Sequence, residues 1–135
     1  MITSNITYSG GLHTTAVHVR SGKAIETDAP IDNQGKGEAF SPTDLLATSL
    51  ASCALTTMGI VGGKNNINID GAVADIIKHM AADPRRVSKI EMIIRMPQDK
   101  AYTEHEKELM EKTALTCPVA KSLHPDLLQV IEIIW

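Results

Sequence analysis

Residues 41–63 read SPTDLLATSLASCALTTMGIVGG, and no charged side chain falls between Leu45 and Gly63. Ser41 offers a capping hydroxyl, Pro42 suits the first helical position, and Asp44 completes an S-x-x-D capping box. Gly62-Gly63 supplies a stop. Between these signals the sequence predicts one helix of small and aliphatic residues that needs cover on nearly every side, the natural centre of a small domain. Cys53 lies near its middle, sheltered from bulk water.

On the N-terminal side, residues 2–27 alternate as strands do. Thr15, Val17 and Val19 share one face and Thr14, Ala16, His18 and Arg20 the other, and Ser21-Gly22 turns the chain into a short strand near Ala24–Thr27. This predicts a small antiparallel meander, joined to the helix by a polar, glycine-bearing loop from Ala29 to Phe40. On the C-terminal side, Asn65–Ala82 and Val87–Met96 flank Asp83-Pro84 and predict a long hairpin, with Ile90, Met92, Ile94 and Met96 on one face. Thr103 and Glu106 form a second capping box ahead of the helix EHEKELMEKTAL, whose inner side carries Leu109, Met110 and Thr113. Cys117-Pro118 opens a short helix that His124-Pro125 ends, and Leu127–Trp135 is a final strand, apolar almost throughout. Strands, helix, hairpin, two helices and a strand make a single α+β domain over residues 1–135, with antiparallel sheet packed on helices.

Composition narrows the function classes. The 135 residues are 43% hydrophobic with a formal charge of −3 and a pI near 5.9. No electrostatic pull toward nucleic acid or an anionic membrane is expected. The aromatic residues are Tyr8, Phe40, Tyr102 and Trp135, too few for a base-stacking surface or an aromatic cage. The start, MITSNITYSGG, lacks a basic region and an apolar run, so the expected compartment is the cytoplasm. The serines and threonines within residues 45–63 make that stretch too polar for an expected membrane span. Two cysteines are no disulfide framework; if they pair, the pairing is chemical and transient.

Cys53 and Cys117 are the residues that can carry chemistry. A free cysteine in a buried helix is most often a small hydrophobe. Cys117 precedes a proline suited to the first helical position, so its sulfur is expected at a helix N-cap, where backbone N–H groups and the helix dipole favour the thiolate; the alternative is that it packs under the sheet. Asp44 and Thr43 lie roughly two and a half to three turns before Cys53, and the capping box is the economical role for Asp44. The histidines show no metal-ligand spacing, so no metal site is expected. No serine-nucleophile elbow, dinucleotide or phosphate-loop pattern occurs.

The stretches SPTDLLATSLASC and TCPVAKSL together resemble the two cysteine motifs of the OsmC and organic hydroperoxide resistance (Ohr) family, and the order of elements agrees over essentially the whole chain. The resemblance implies an OsmC-like α+β fold, with antiparallel sheets around a long buried central helix. It also implies an intertwined homodimer with the thiol sites at the subunit interface. By the same resemblance Cys53 attacks the peroxide O–O bond and becomes a sulfenic acid, and Cys117 resolves it as a disulfide. An external dithiol reductant, a thiol protein, then restores both thiols without a bound cofactor. In the family's well-studied peroxidase branch a glutamate follows the helix-initiating proline and an arginine follows the early glycine pair. Here Thr43 and Asp44 follow Pro42, while Leu12 and His13 follow Gly10-Gly11, closer to the less characterised OsmC-like branch. Thr43, Asp44, Arg20 and His13 are therefore the auxiliary candidates. The expected function is a thiol-dependent peroxidase acting on organic, including fatty-acyl, hydroperoxides. The alternative is a dimer of the same fold that binds a small apolar or thiol-reactive ligand without peroxidase activity.

Overall fold

The computed structural model describes residues 1–135. They form two compact units, Met1–Leu46 and Ala47–Trp135, and the division falls inside the long helix α1 (Pro42–Lys64).

In the first unit, β1 (Ser4–Gly10), β2 (His13–His18) and β3 (Ala24–Asp28) form an antiparallel meander in that spatial order, as the alternation predicts. The β1–β2 turn runs through Gly10, Gly11 and Leu12 with φ of 88°, 61° and 59°, a left-handed path that glycine follows at little steric cost. The register sets Ile6 beside Ala16 and Ile25 beside Ala16 on its other side. No residue of β1 or β2 is buried, and Ile6 and Tyr8 are each 62% exposed. The loop from Ala29 to Phe40, carrying a single 3-10 turn at Ile31–Asn33, is tied down by its backbone. The Ala29 N–H donates to the Leu12 carbonyl at 3.0 Å and the Gly37 N–H to the Ala29 carbonyl at 3.3 Å. Gly35 passes so close to Ala29 that a Cβ there would lie 1.7 Å from the Ala29 oxygen.

The helix α1 begins with both halves of the expected capping box. The Ser41 N–H donates to Asp44 Oδ2 at 2.9 Å and the Asp44 N–H to Ser41 Oγ at 3.0 Å, which satisfies two of the helix's otherwise orphaned donors. Within the single chain the helix buries one stripe, Ala47, Leu50, Ala51, Ala54, Met58 and Gly62. Ser52, Thr56, Gly59 and Ile60 stay exposed. Cover on nearly every side is thus not reached, because one chain supplies packing for one side only.

In the second unit, β4 (Val73–Ala81) and β5 (Arg86–Arg95) form the long hairpin across Asp83-Pro84. Ile90, Met92, Ile94 and Met96 are all buried, and they meet the α1 stripe in one hydrophobic core. Each such side chain contributes about 1.5–3 kcal/mol by leaving water. The helix α2 (Glu104–Leu115) starts at its Thr103–Glu106 capping box and adds Met110 and Ala114 to that core. A single turn, α3 (Pro118–Ser122), follows, and then β6 (Leu128–Ile134). One pairing departs from the antiparallel expectation: β6 runs parallel to β5, with Ile90 opposite Gln129 and Ile94 opposite Ile133. The α2–α3 connection is long enough to carry the chain back to the starting end of β5, which a parallel partner requires.

Candidate functional site

Cys53 and Cys117 meet inside the second unit. Both are free thiols and both belong to the core built on α1, β5 and α2. Cys53 comes from the middle of α1 and is half-buried. Cys117 caps α3 and is 0% exposed. Cys53 is near enough to Cys117 to raise its pKa.

The N-cap expected at Cys117 is present: its backbone is extended, Pro118 follows at the first helical position, and the Ala120 N–H donates to Sγ at 3.4 Å. The expected chemical consequence is reversed. Burial pushes the Cys117 thiol up from its ordinary value of 9.0, and the neighbouring Cys53 adds to the rise, while the Ala120 N–H opposes it. Removal from water disfavours the charged sulfur more than the Ala120 and Val119 N–H groups and the dipole of a single helical turn favour it. Cys117 is therefore kept as a neutral thiol.

The four auxiliary candidates all lie in the first unit. Asp44 completes the α1 capping box, and Thr43 Oγ1 hydrogen-bonds Ser41 Oγ at 3.1 Å. His13 opens β2 (His13–His18), a strand about 17 Å long at the ordinary rise, and Arg20 follows two residues after its other end. Arg20 lies exposed in the β2–β3 turn.

His13 is instead held by carboxylates. Nδ1 lies 2.6 Å from Asp28 Oδ1 and Nε2 lies 3.5 Å from Glu26 Oε1. The other Asp28 oxygen accepts the Glu38 N–H at 3.0 Å. The Asp28 hydrogen bond raises the His13 pKa above 6.5, and the same bond lowers that of Asp28 below 3.8. With Gly10, Gly11, Lys36 and Ala39 these groups line an open cleft of about 350 Å³. No group of three His, Cys, Asp or Glu side chains is arranged to hold a metal ion.

Two residues of these arrangements escaped the sequence. Asp28 becomes the partner of His13 through the β2–β3 register, which follows from a turn whose length had to be known first. Gln129, whose Nε2 donates to the Ala120 carbonyl of α3 at 2.9 Å, was hidden in a strand read as apolar. Its signal is a polar side chain at a position where alternation calls for an apolar one.

Comparison with known proteins bears on the same elements. The family model described as OsmC-like protein matches residues 35–128, a span that includes both cysteine segments. A solved structure from Psychrobacter arcticus, assigned to the osmotic stress induced and detoxification response, shares 54% identity over 98% of this chain and 96% of its own, with a TM-score of 0.93. An organic hydroperoxide resistance protein OsmC from Legionella pneumophila shares 15% identity over 100% of this chain and 98% of its own, at a TM-score of 0.78. An organic hydroperoxide resistance protein from Elizabethkingia anophelis, with thiocyanate bound, shares 16% identity over 99% and 96%, at a TM-score of 0.75. The last two establish likeness of fold. Among curated proteins none matches the chain.

Proposed function

Because the chain belongs to the OsmC-like protein family, we propose that it is a thiol-dependent peroxidase that reduces organic hydroperoxides with Cys53 and Cys117. The observation that carries this reading is the pairing of two free thiols of unequal exposure, a half-buried Cys53 beside a fully buried Cys117. A peroxide can reach the first and not the second. The Cys53 thiolate attacks one peroxide oxygen, the O–O bond breaks, and the alkoxide leaves and takes a proton as the alcohol. Cys53 is then a sulfenic acid. The Cys117 sulfur attacks it, the S–S bond forms, the S–O bond breaks, and hydroxide leaves and is protonated to water by the Cys117 proton. An external dithiol, ordinarily that of a thiol protein, returns both sulfurs to thiols by exchange. A neutral, buried Cys117 suits this order, because the resolving thiol is needed only after the first step.

The aliphatic surroundings of the pair favour an apolar hydroperoxide, a fatty-acyl chain included, over a charged one. The open meander and the uncharged outer stripe of α1 support a homodimer with the thiol sites at its interface. A cytoplasmic location would keep both thiols reduced between turnovers.

Purified protein with a dithiol reductant and cumene hydroperoxide tests the assignment. Steady consumption is expected, and Cys53→Ser abolishes it. After a small excess of peroxide without reductant, the intact mass falls by two hydrogens. No mass change, or unchanged turnover in Cys53→Ser, would leave the family fold as a binder of apolar or thiol-reactive ligands.

A further inference from the structure

The face of β6 turned to the core carries Gln129, Ile131 and Ile133, all half-buried, while Leu128, Val130, Glu132 and Ile134 are exposed. Ile131 and Ile133 pack against the core as expected. Gln129, opposite the fully buried Ile90, breaks the row. A polar side chain on a core-facing row is the informative exception to apolar patterning, and it is retained only with a partner. Its partner is the Ala120 carbonyl, at 2.9 Å from Nε2.

That carbonyl belongs to the turn that presents the buried thiol. The α3 helix is five residues long, and Ala120 is its buried member. The Lys121 N–H donates to the Cys117 carbonyl at 3.1 Å and the Ser122 hydroxyl to the Pro118 carbonyl at 2.8 Å. So short a helix does not hold itself in water; tertiary ties must fix it. Ala120 is tied on both sides. Its N–H donates to Cys117 Sγ and its carbonyl accepts from Gln129.

We propose that Gln129 is a positioning residue for Cys117, anchoring α3 to β6 so that the buried sulfur stays aimed at Cys53. The kinetic consequence rests on the peroxidase reading; the effect on the thiol's surroundings does not. The resolving step needs the two sulfurs to close to about 2.05 Å with restricted torsion. A turn free to pivot about Pro118 would spend most of its time outside that geometry. Without the anchor the Ala120 carbonyl must find water, which opens the pocket around Cys117.

Gln129→Met, unbranched and without a donor, is the main variant, and Gln129→Lys restores a donor of similar reach. After one equivalent of cumene hydroperoxide, dimedone trapping reports the sulfenic acid and intact mass reports the disulfide. In Gln129→Met the sulfenic acid forms at the wild-type rate while disulfide formation slows roughly five- to tenfold, the rate equivalent of one hydrogen bond. Gln129→Lys recovers most of the loss. In a Cys53→Ser background, iodoacetamide labels Cys117 severalfold faster in Gln129→Met, and the midpoint of its pH profile moves down as burial is relieved. If the wild type forms no sulfenic acid, the peroxidase reading fails and the labelling series alone decides on Gln129. If Gln129→Met does not fold, Gln129→Glu, which keeps the shape and loses the donor, takes its place in the disulfide measurement. Labelling of Cys117 unchanged by the substitution, or disulfide formation as fast as in the wild type, overturns the proposal.

Discussion

His13 presents Nδ1 to Asp28 Oδ1 at 2.6 Å while Nε2 faces Glu26 Oε1 at 3.5 Å, so the imidazole is flanked by carboxylates on both ring nitrogens. The charged ring is thereby favoured. The Asp28 carboxylate also accepts the Glu38 N–H, which links β2, β3 and the loop before α1 through one side chain.

The pH dependence of stability follows from these shifts. The His13 value is raised from 6.5, so its contribution is complete below 6.5 and is lost as pH rises through the folded value. The Asp28 value is lowered from 3.8, so its contribution is present above 3.8 and is lost as pH falls through the folded value. The stability difference between wild type and His13→Asn should therefore be largest at mildly acid pH and shrink toward alkaline pH. Thermal unfolding of both proteins across that range checks it, and a difference that does not vary with pH contradicts it.

The two thiols should differ sharply in reactivity. Cys117 is buried and its thiol is pushed up, whereas Cys53 is half-buried. Since the thiolate is the reacting species and must be reached by the reagent, iodoacetamide at neutral pH should label Cys53 at least about tenfold faster than Cys117. Peptide mapping after brief labelling gives the ratio. Equal labelling would remove the distinction between attacking and resolving sulfur.

The α1 capping box should be a measurable part of stability. Ser41→Ala and Asp44→Ala each remove one side of a reciprocal pair, at a cost of about 1 kcal/mol apiece. Each single change already disrupts the shared arrangement, so the double variant should lose less than the sum. Chemical denaturation of the three variants decides it, and additive losses would mean that the two bonds act independently.

Much of this was legible in the sequence because it is local. Ser41 with Asp44, Thr103 with Glu106 and the alternation Ile90, Met92, Ile94, Met96 each state their own structure within a few residues. What failed depends on distance. The direction of β6 leaves no trace in its alternation, since both directions bury every second residue. The N-cap of Cys117 is readable, but the burial that overrides it comes from a core whose α1 and β5 members lie far away in sequence. Nor could spacing place Cys117 against Cys53 or Gln129 against α3. In the sequence only family resemblance joins the cysteines, and no local motif marks Gln129 as a partner of α3.

The meander carries the last prediction. Ile6, Ala16 and Ile25 lie side by side across β1, β2 and β3, yet Ile6 is 62% and Ile25 is 53% exposed. A three-stranded sheet that buries neither β1 nor β2 gains little hydrophobic stabilisation by itself. Contiguous exposed apolar surface of this kind is what a contact with another molecule covers, and in the proposed homodimer a second copy of the chain would supply that cover. The protein should therefore sediment at about 29 kDa, twice the 14.6 kDa chain. Replacing Ile6 and Ile25 together by Glu introduces charges that a buried contact would leave unpaired, so this variant should sediment as a monomer. If the thiol sites lie at the interface, it should also lose peroxidase turnover although Cys53 and Cys117 are untouched. Analytical ultracentrifugation and the cumene hydroperoxide assay on the same samples separate the claims: a wild type at 14.6 kDa ends the dimer reading, and a monomeric variant with full turnover ends the interface reading alone.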